Sequence, residues 1–151
     1  MLLNLIWAAM LTLHVLCISY WVGGAVYCMQ LPRITRALEA VPAQAVQLQG
    51  YGRFLRGLWH VAPLALFSGA GLVGLMMYRG LNLDWPYHVM GALGVLMFIL
   101  FVMTAMGPYR AARRAMRPQP ASFKAMRRFA VLTVLLGALA ITMGGLGQAG
   151  L

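Results

Sequence analysis

The chain has 151 residues, 62% of them hydrophobic and only 9% charged, whereas soluble domains carry about 25% charged residues. This composition excludes an ordinary soluble globular domain and puts the chain in the membrane class. A formal net charge of +10 would suggest nucleic acid in a soluble protein. Here the basic residues crowd into two segments between apolar runs, as membrane orientation produces, so nucleic acid is not an expected partner.

In chain order, the spacing of apolar runs predicts an all-α integral membrane bundle of four transmembrane helices, one transmembrane domain over 1–151. The first helix runs over about 3–29 and is closed by Pro32 and Arg33. No charged residue occurs from Met1 to Leu31, so roughly 30 residues can enter hydrocarbon, where a spanning helix needs about 20. No basic segment precedes this stretch, and it exceeds a secretory h-region in length, so it reads as a retained helix. The polar segment that follows, about 33–56, is expected to hold short interfacial helices broken at Pro42 and Gly50. A second helix spans about 57–78, with Pro63 a kink in its first turns. A loop over about 79–86 carries Asp84 and the interfacial Trp85. The third helix covers about 87–107, a basic segment about 108–128, and the fourth helix about 129–146.

Orientation follows from the basic residues. The first loop holds Arg33, Arg36, Arg53 and Arg56, and the third holds Arg110, Arg113, Arg114, Arg117, Lys124, Arg127 and Arg128, whereas the second holds Arg79 alone. The positive-inside rule then places the first and third loops in the cytoplasm and both termini outside. Anionic headgroups are natural partners for such loops.

Gly69-Ala-Gly71-Leu-Val-Gly74 matches a dinucleotide-binding pattern, but that motif requires a preceding strand, and here it lies inside a membrane span. Together with Gly91, Gly94 and Gly137 these glycines are expected to let helix backbones approach closely.

The chemistry-bearing residues are few. The only acids, Glu39 and Asp84, lie in loops, which argues against carboxylate acid–base work inside the membrane. At membrane depth the candidates are His14, His60 and His88, the thiols Cys17 and Cys28, and scattered methionines. At 100° per residue His14, Cys17, Trp21 and Cys28 fall within about 60° of one another on one stripe. An imidazole at mid-span is expensive in lipid and should face protein, water or a ligand. Its plain structural alternative is a hydrogen bond to a Ser or Thr of a neighbouring helix. At 1.5 Å per residue His14 lies about 3 Å outward of mid-plane, His60 about 10 Å toward the cytoplasm and His88 about 13 Å toward the outside. His60 and His88 are too far apart in depth to share a metal, while His14 can pair with either. Both also fit an interfacial reading, beside Trp59 and beside Trp85 and Tyr87. Cys17, one turn after His14, makes a soft Cu(I) pair with it the metal alternative. Cys17 and Cys28 would lie about 16 Å apart along one helix, beyond disulfide reach.

The run Leu13-His14 … Tyr20-Trp21-Val-Gly23-Gly24-Ala-Val-Tyr27 … Leu31-Pro32-Arg33 resembles the first helix of HemJ-type protoporphyrinogen oxidases and of the related CopD superfamily. Arg53-Phe-Leu-Arg56 followed by Ala62-Pro63 is similar to the approach to that family's second helix. Trp85 and His88 resemble the start of its third. The resemblance implies a bacterial inner-membrane protein holding haem b, with His14 at the haem-ligand position. In the HemJ branch the activity is oxidation of protoporphyrinogen IX, with electrons passing to quinone or the respiratory chain. Where that family has a lysine two residues after the helix-three histidine, this chain has Met90, a residue able to act as a haem ligand and raise the iron potential. The resulting expectation is a haem protein for electron transfer or porphyrinogen oxidation, with His14, His88, Met90 and His60 as candidate ligands. Arg56 or Arg79 would pair with haem propionates, and a homo-oligomer is compatible with all of this. The alternative is a CopD-like copper-handling component using His14 and Cys17.

Overall fold

The computed structural model describes residues 1–115 and 119–150. Among the described residues all regular structure is helical: α1 (Leu2–Ile34), α2 (Ala40–Tyr78), α3 (Trp85–Thr104), a π-helical turn (Ala105–Tyr109), α4 (Arg110–Arg114) and α5 (Pro120–Gln148). Four helical stretches are long and apolar enough to cross a membrane, α3 doing so together with its extension to Arg114. Arg117, counted above in the third loop, lies outside the described residues.

The helices are longer than the apolar runs, because polar segments expected to be loops continue them. α1 carries Pro32 inside its last turn and stops at Ile34 rather than Met29. Beyond it, the Thr35 backbone N–H and hydroxyl both donate to Leu31 O, at 3.0 and 2.8 Å. Gln47 Nε2 then donates to Thr35 Oγ1 at 2.7 Å, tying the turn to α2. The expected interfacial helices broken at Pro42 and Gly50 are one helix, continuous with the second span from Ala40. Pro42 sits in the first turn, where its missing N–H would have no intrahelical acceptor anyway. Gly50 is a packing gap rather than a breaker, since a Cβ there would come 2.9 Å from Leu31 Cδ1. α2 runs through Pro63 without a break. At the far end, α3 does not stop at Gly107. A Pro ring within an α-helix collides with the carbonyl four residues back, and the chain passes Pro108 in a wider π turn. α5 starts at Pro120, nine residues before the expected start at Phe129, with Pro in its first turn.

α1 packs along α2, α3 along α5, and α1 also along α5, while α2 and α3 share a narrower contact. Consecutive helices run antiparallel, so Leu31 meets Gly50 and Tyr109 meets Gly52 at one end. At the other end Arg79 Nη2 donates to Asn4 Oδ1 at 2.7 Å, with its guanidinium 5.5 Å from the Trp7 ring centroid. The described basic residues other than Arg79 therefore gather at the Leu31–Gly52 end.

The inward stripe of α1 is the one the periodicity marks: Cys17, Trp21, Ala25, Cys28 and Leu31 are buried, and both cysteines are free. Trp21, 1% exposed, centres a cluster with Cys17, Leu55, Leu58, Ala62, Ala65, Met97 and Phe101. Its ring meets Phe101 edge-on, centroids 6.5 Å apart, and Phe101 meets Trp59 at 5.0 Å. The outward faces are apolar too: Phe67, Leu135 and Leu16 are more than 60% exposed, as suits side chains bathed in lipid. The chain is an all-α protein compatible with a multi-pass membrane location.

The glycines correct one expectation. Gly137 admits Val22, whose Cγ2 lies 2.5 Å from where a Cβ would sit, but Gly74 and Gly91 face open space. The tight approaches are glycine to side chain rather than backbone to backbone. At buried Gly52 a Cβ would come 2.6 Å from the Tyr109 hydroxyl. Gly52→Ala is therefore expected to destabilise the bundle by about 1–3 kcal/mol, the usual range for overpacking. Adding Tyr109→Phe should recover part of the loss in the same detergent melting assay.

Candidate functional site: His14 on the second helix

His14 packs against the second half of α2. Its Nδ1 lies 2.9 Å from Ala65 O and 3.2 Å from Ser68 Oγ. The Ser68 hydroxyl is itself directed at Leu64 O, 2.7 Å away, with Ala65 O at 3.1 Å. A carbonyl oxygen can only accept, so Nδ1 carries the proton and donates to Ala65 O. An unprotonated Nδ1 would set two lone pairs against each other at that distance. The neutral ring then keeps its lone pair on Nε2.

The sequence of α2 makes room for this. A Cβ on Gly69 would come 3.0 Å from His14 Cε1 and 3.4 Å from Nδ1, so the imidazole edge lies in the gap that the missing side chain leaves. One turn nearer the N-terminus of α1, Met10 Sδ lies 3.4 Å from where a Gly71 Cβ would sit. Gly69 and Gly71 of the dinucleotide-like pattern thus receive side chains from α1. On the inward side, buried Ala65 and Ser68 keep α2 small where the ring arrives.

Backbone-anchored Nδ1–H with Nε2 free is the arrangement that orients a metal-ligating histidine, the carbonyl fixing tautomer and ring plane. The donor chemistry at His14 therefore fits one axial ligand of a haem iron, and fits equally the interhelical hydrogen bond that the sequence allowed as its structural alternative.

No family model, characterised protein or solved structure matches this chain. The assignment of chemistry accordingly stands on side-chain geometry.

The other candidate ligands are dispersed. His60 is exposed beside Trp59 on α2, and His88 is exposed in the first turn of α3. Met90 points toward α5, its Sδ 3.2 Å from where a Gly144 Cβ would be. All hydrogen bonds of His14 go to α2 and none to α3. Among the described residues no group of three or more His, Cys, Asp or Glu side chains converges. Cys17 is 6% exposed within the apolar cluster around Trp21. Of the two candidate propionate partners, exposed Arg56 turns its Nε to Gly52 O at 3.2 Å, and Arg79 is engaged with Asn4 and Trp7.

Ser68 and Gly69 were not singled out from the sequence as companions of His14. A signal was there: with span centres near residues 16 and 67, Ser68 and His14 fall within about 2 Å of the same depth. What sequence could not provide was the rotation of α2 that turns that face toward α1.

Proposed function

We propose that this chain is a b-type haem-binding protein of the bacterial inner membrane, acting in electron transfer or protoporphyrinogen IX oxidation, in which His14 would hold the haem iron. The observation that carries this reading is the Nδ1 bond to Ala65 O, which presents Nε2 in a defined tautomer at mid-span. The likeness of the α1 sequence to HemJ-type and CopD-like proteins agrees with it. In this reading the basic loops are cytoplasmic and both termini face outward.

Haem, when bound, supplies one-electron chemistry. The residues of this chain do the rest: Ala65 O holds the ring, Gly69 gives it room, and Ser68 directs its hydroxyl to Leu64 O, adding no second proton to Nδ1. Glu39 and Asp84 are both exposed, at helix N-termini, so His14 has no carboxylate with which to relay protons and its role is ligation. His14 would hold the iron; the other candidate ligands on α3 lie apart from it, Met90 turned to α5 and His88 exposed.

The test is the visible spectrum of the detergent-purified chain expressed with ample haem, beside metal analysis. A Soret band that disappears in His14→Ala supports the reading. Its absence from the parent protein, or stoichiometric copper lost in Cys17→Ser, overturns it. Gly69→Val is expected to push the imidazole off its carbonyl anchor while leaving the ligand in the chain. A haem titration should then show affinity lowered about 10–100-fold, the usual result of disturbing a ligand's supporting shell.

A further inference from the structure

A second feature of the α1–α2 pair is independent of His14. Toward the basic end of the bundle the two helices flank an open groove of about 480 Å³. Its lining includes Tyr20, Gly23, Gly24, Tyr27, Gln49 and Arg53. One wall is built by Phe54, whose ring lies over Gly24 and stacks on Tyr20 with centroids 6.1 Å apart. Gly23 is different: a Cβ there would meet no atom within 4 Å, so its missing side chain makes way for nothing among the described residues. The groove is a largely apolar trough about 10 Å long at 1.5 Å per residue, with Arg53, Gln49, Ser19 and the phenols of Tyr20 and Tyr27 among its lining.

Its level in the bilayer selects the ligand. With α1 centred near residue 16, a hydrocarbon half-thickness of about 15 Å reaches to about residue 26. The Gly23–Gly24 floor therefore lies within hydrocarbon, while Tyr27 and Arg53 stand at the headgroup boundary, where Tyr is favoured. An occupant must be apolar along its body and carry an anionic group at the boundary. Basic pockets between transmembrane helices hold acidic headgroups in this way.

We propose that this groove is a binding site for an anionic phospholipid, its phosphate on Arg53 and Gln49 and an acyl chain along Gly23 and Gly24. The site stands whether or not His14 holds a haem.

The experiment is native mass spectrometry of the full chain released from mixed phosphatidylglycerol and phosphatidylcholine. The parent chain should retain phosphatidylglycerol preferentially. Arg53→Gln should lower that retention about five-fold, the equivalent of the roughly 1 kcal/mol that one basic residue contributes at an anionic surface. Gly23→Leu should abolish it by filling the trough, with little change in melting temperature, since a Cβ at Gly23 meets no atom within 4 Å. Arg113→Gln, on an exposed residue of α4 at the same end, should change nothing. Equal retention of the two lipids by the parent overturns the site, as does an equal loss in Arg53→Gln and Arg113→Gln. Should Gly23→Leu fail to fold, the comparison of the two Arg variants decides alone.

Discussion

His14→Ala is expected to eliminate the Soret absorbance of the purified protein while leaving a folded four-helix bundle. The two effects separate because, in the proposed reading, the ring would do two jobs of different size. As a hydrogen-bond donor to Ala65 O, 2.9 Å away, it is worth about 0.6 kcal/mol and at most about 1.7, the range for interhelical bonds within membranes. As an axial ligand it has no substitute on α1, where Cys17 is turned into the apolar cluster. A variant that loses haem but keeps its melting temperature within a few degrees supports ligation. Loss of haem together with loss of fold would leave ligation and packing entangled, and Gly69→Val separates them because it keeps the imidazole and moves it. Unchanged absorbance in both variants would remove His14 from the site altogether.

Trp21→Ala should be the most destabilising single truncation in the bundle. Trp21 is the largest of the fully buried side chains, at 1% exposure, and it joins α1 to α2 and α3 through Leu58 and Phe101. In a soluble core such a truncation costs about 3–5 kcal/mol, the sum of lost transfer energy and an unfilled cavity. In a bilayer the separated helices expose their side chains to lipid tails as apolar as the core, so much of the transfer contribution vanishes and lost packing remains. A loss of about 2–3 kcal/mol is therefore expected, read from the midpoint of unfolding in a denaturing-detergent titration. Trp21→Phe should recover over half of it, since an aromatic ring still meets Phe101. Wild-type stability in Trp21→Ala would mean that the cluster does not hold the bundle together.

How much of this was legible depends on which interaction fixes each feature. The inward face of α1 was readable because Cys17, Trp21 and Cys28 repeat with the helix period, and all are buried. Helix ends are misread in one direction, because charge and Pro look like stop signals in the sequence. Outside the hydrocarbon a helix may carry Arg53 and Arg56 at no desolvation cost, and Pro42 and Pro120 occupy first turns where proline is tolerated. Hence α2 and α5 continue well past the apolar runs. Gly50 reads as a breaker from sequence but serves as a gap for Leu31, as Gly52 does for the Tyr109 hydroxyl, and only the partner's position reveals that.

The sequence by itself determined the membrane class, the four spans, the buried stripe of α1 and the singular position of one imidazole near mid-span. These depend on hydropathy and on a 3.6-residue period, both local to a segment of chain. The tertiary structure decided which helix receives His14. Depth along the membrane normal can be counted from residue numbers, whereas the rotation and adjacency of helices follow from side chains meshing across an interface. That is why Ala65, Ser68 and Gly69 hold the ring, while Met90 turns to α5 and His60 and His88 are left exposed.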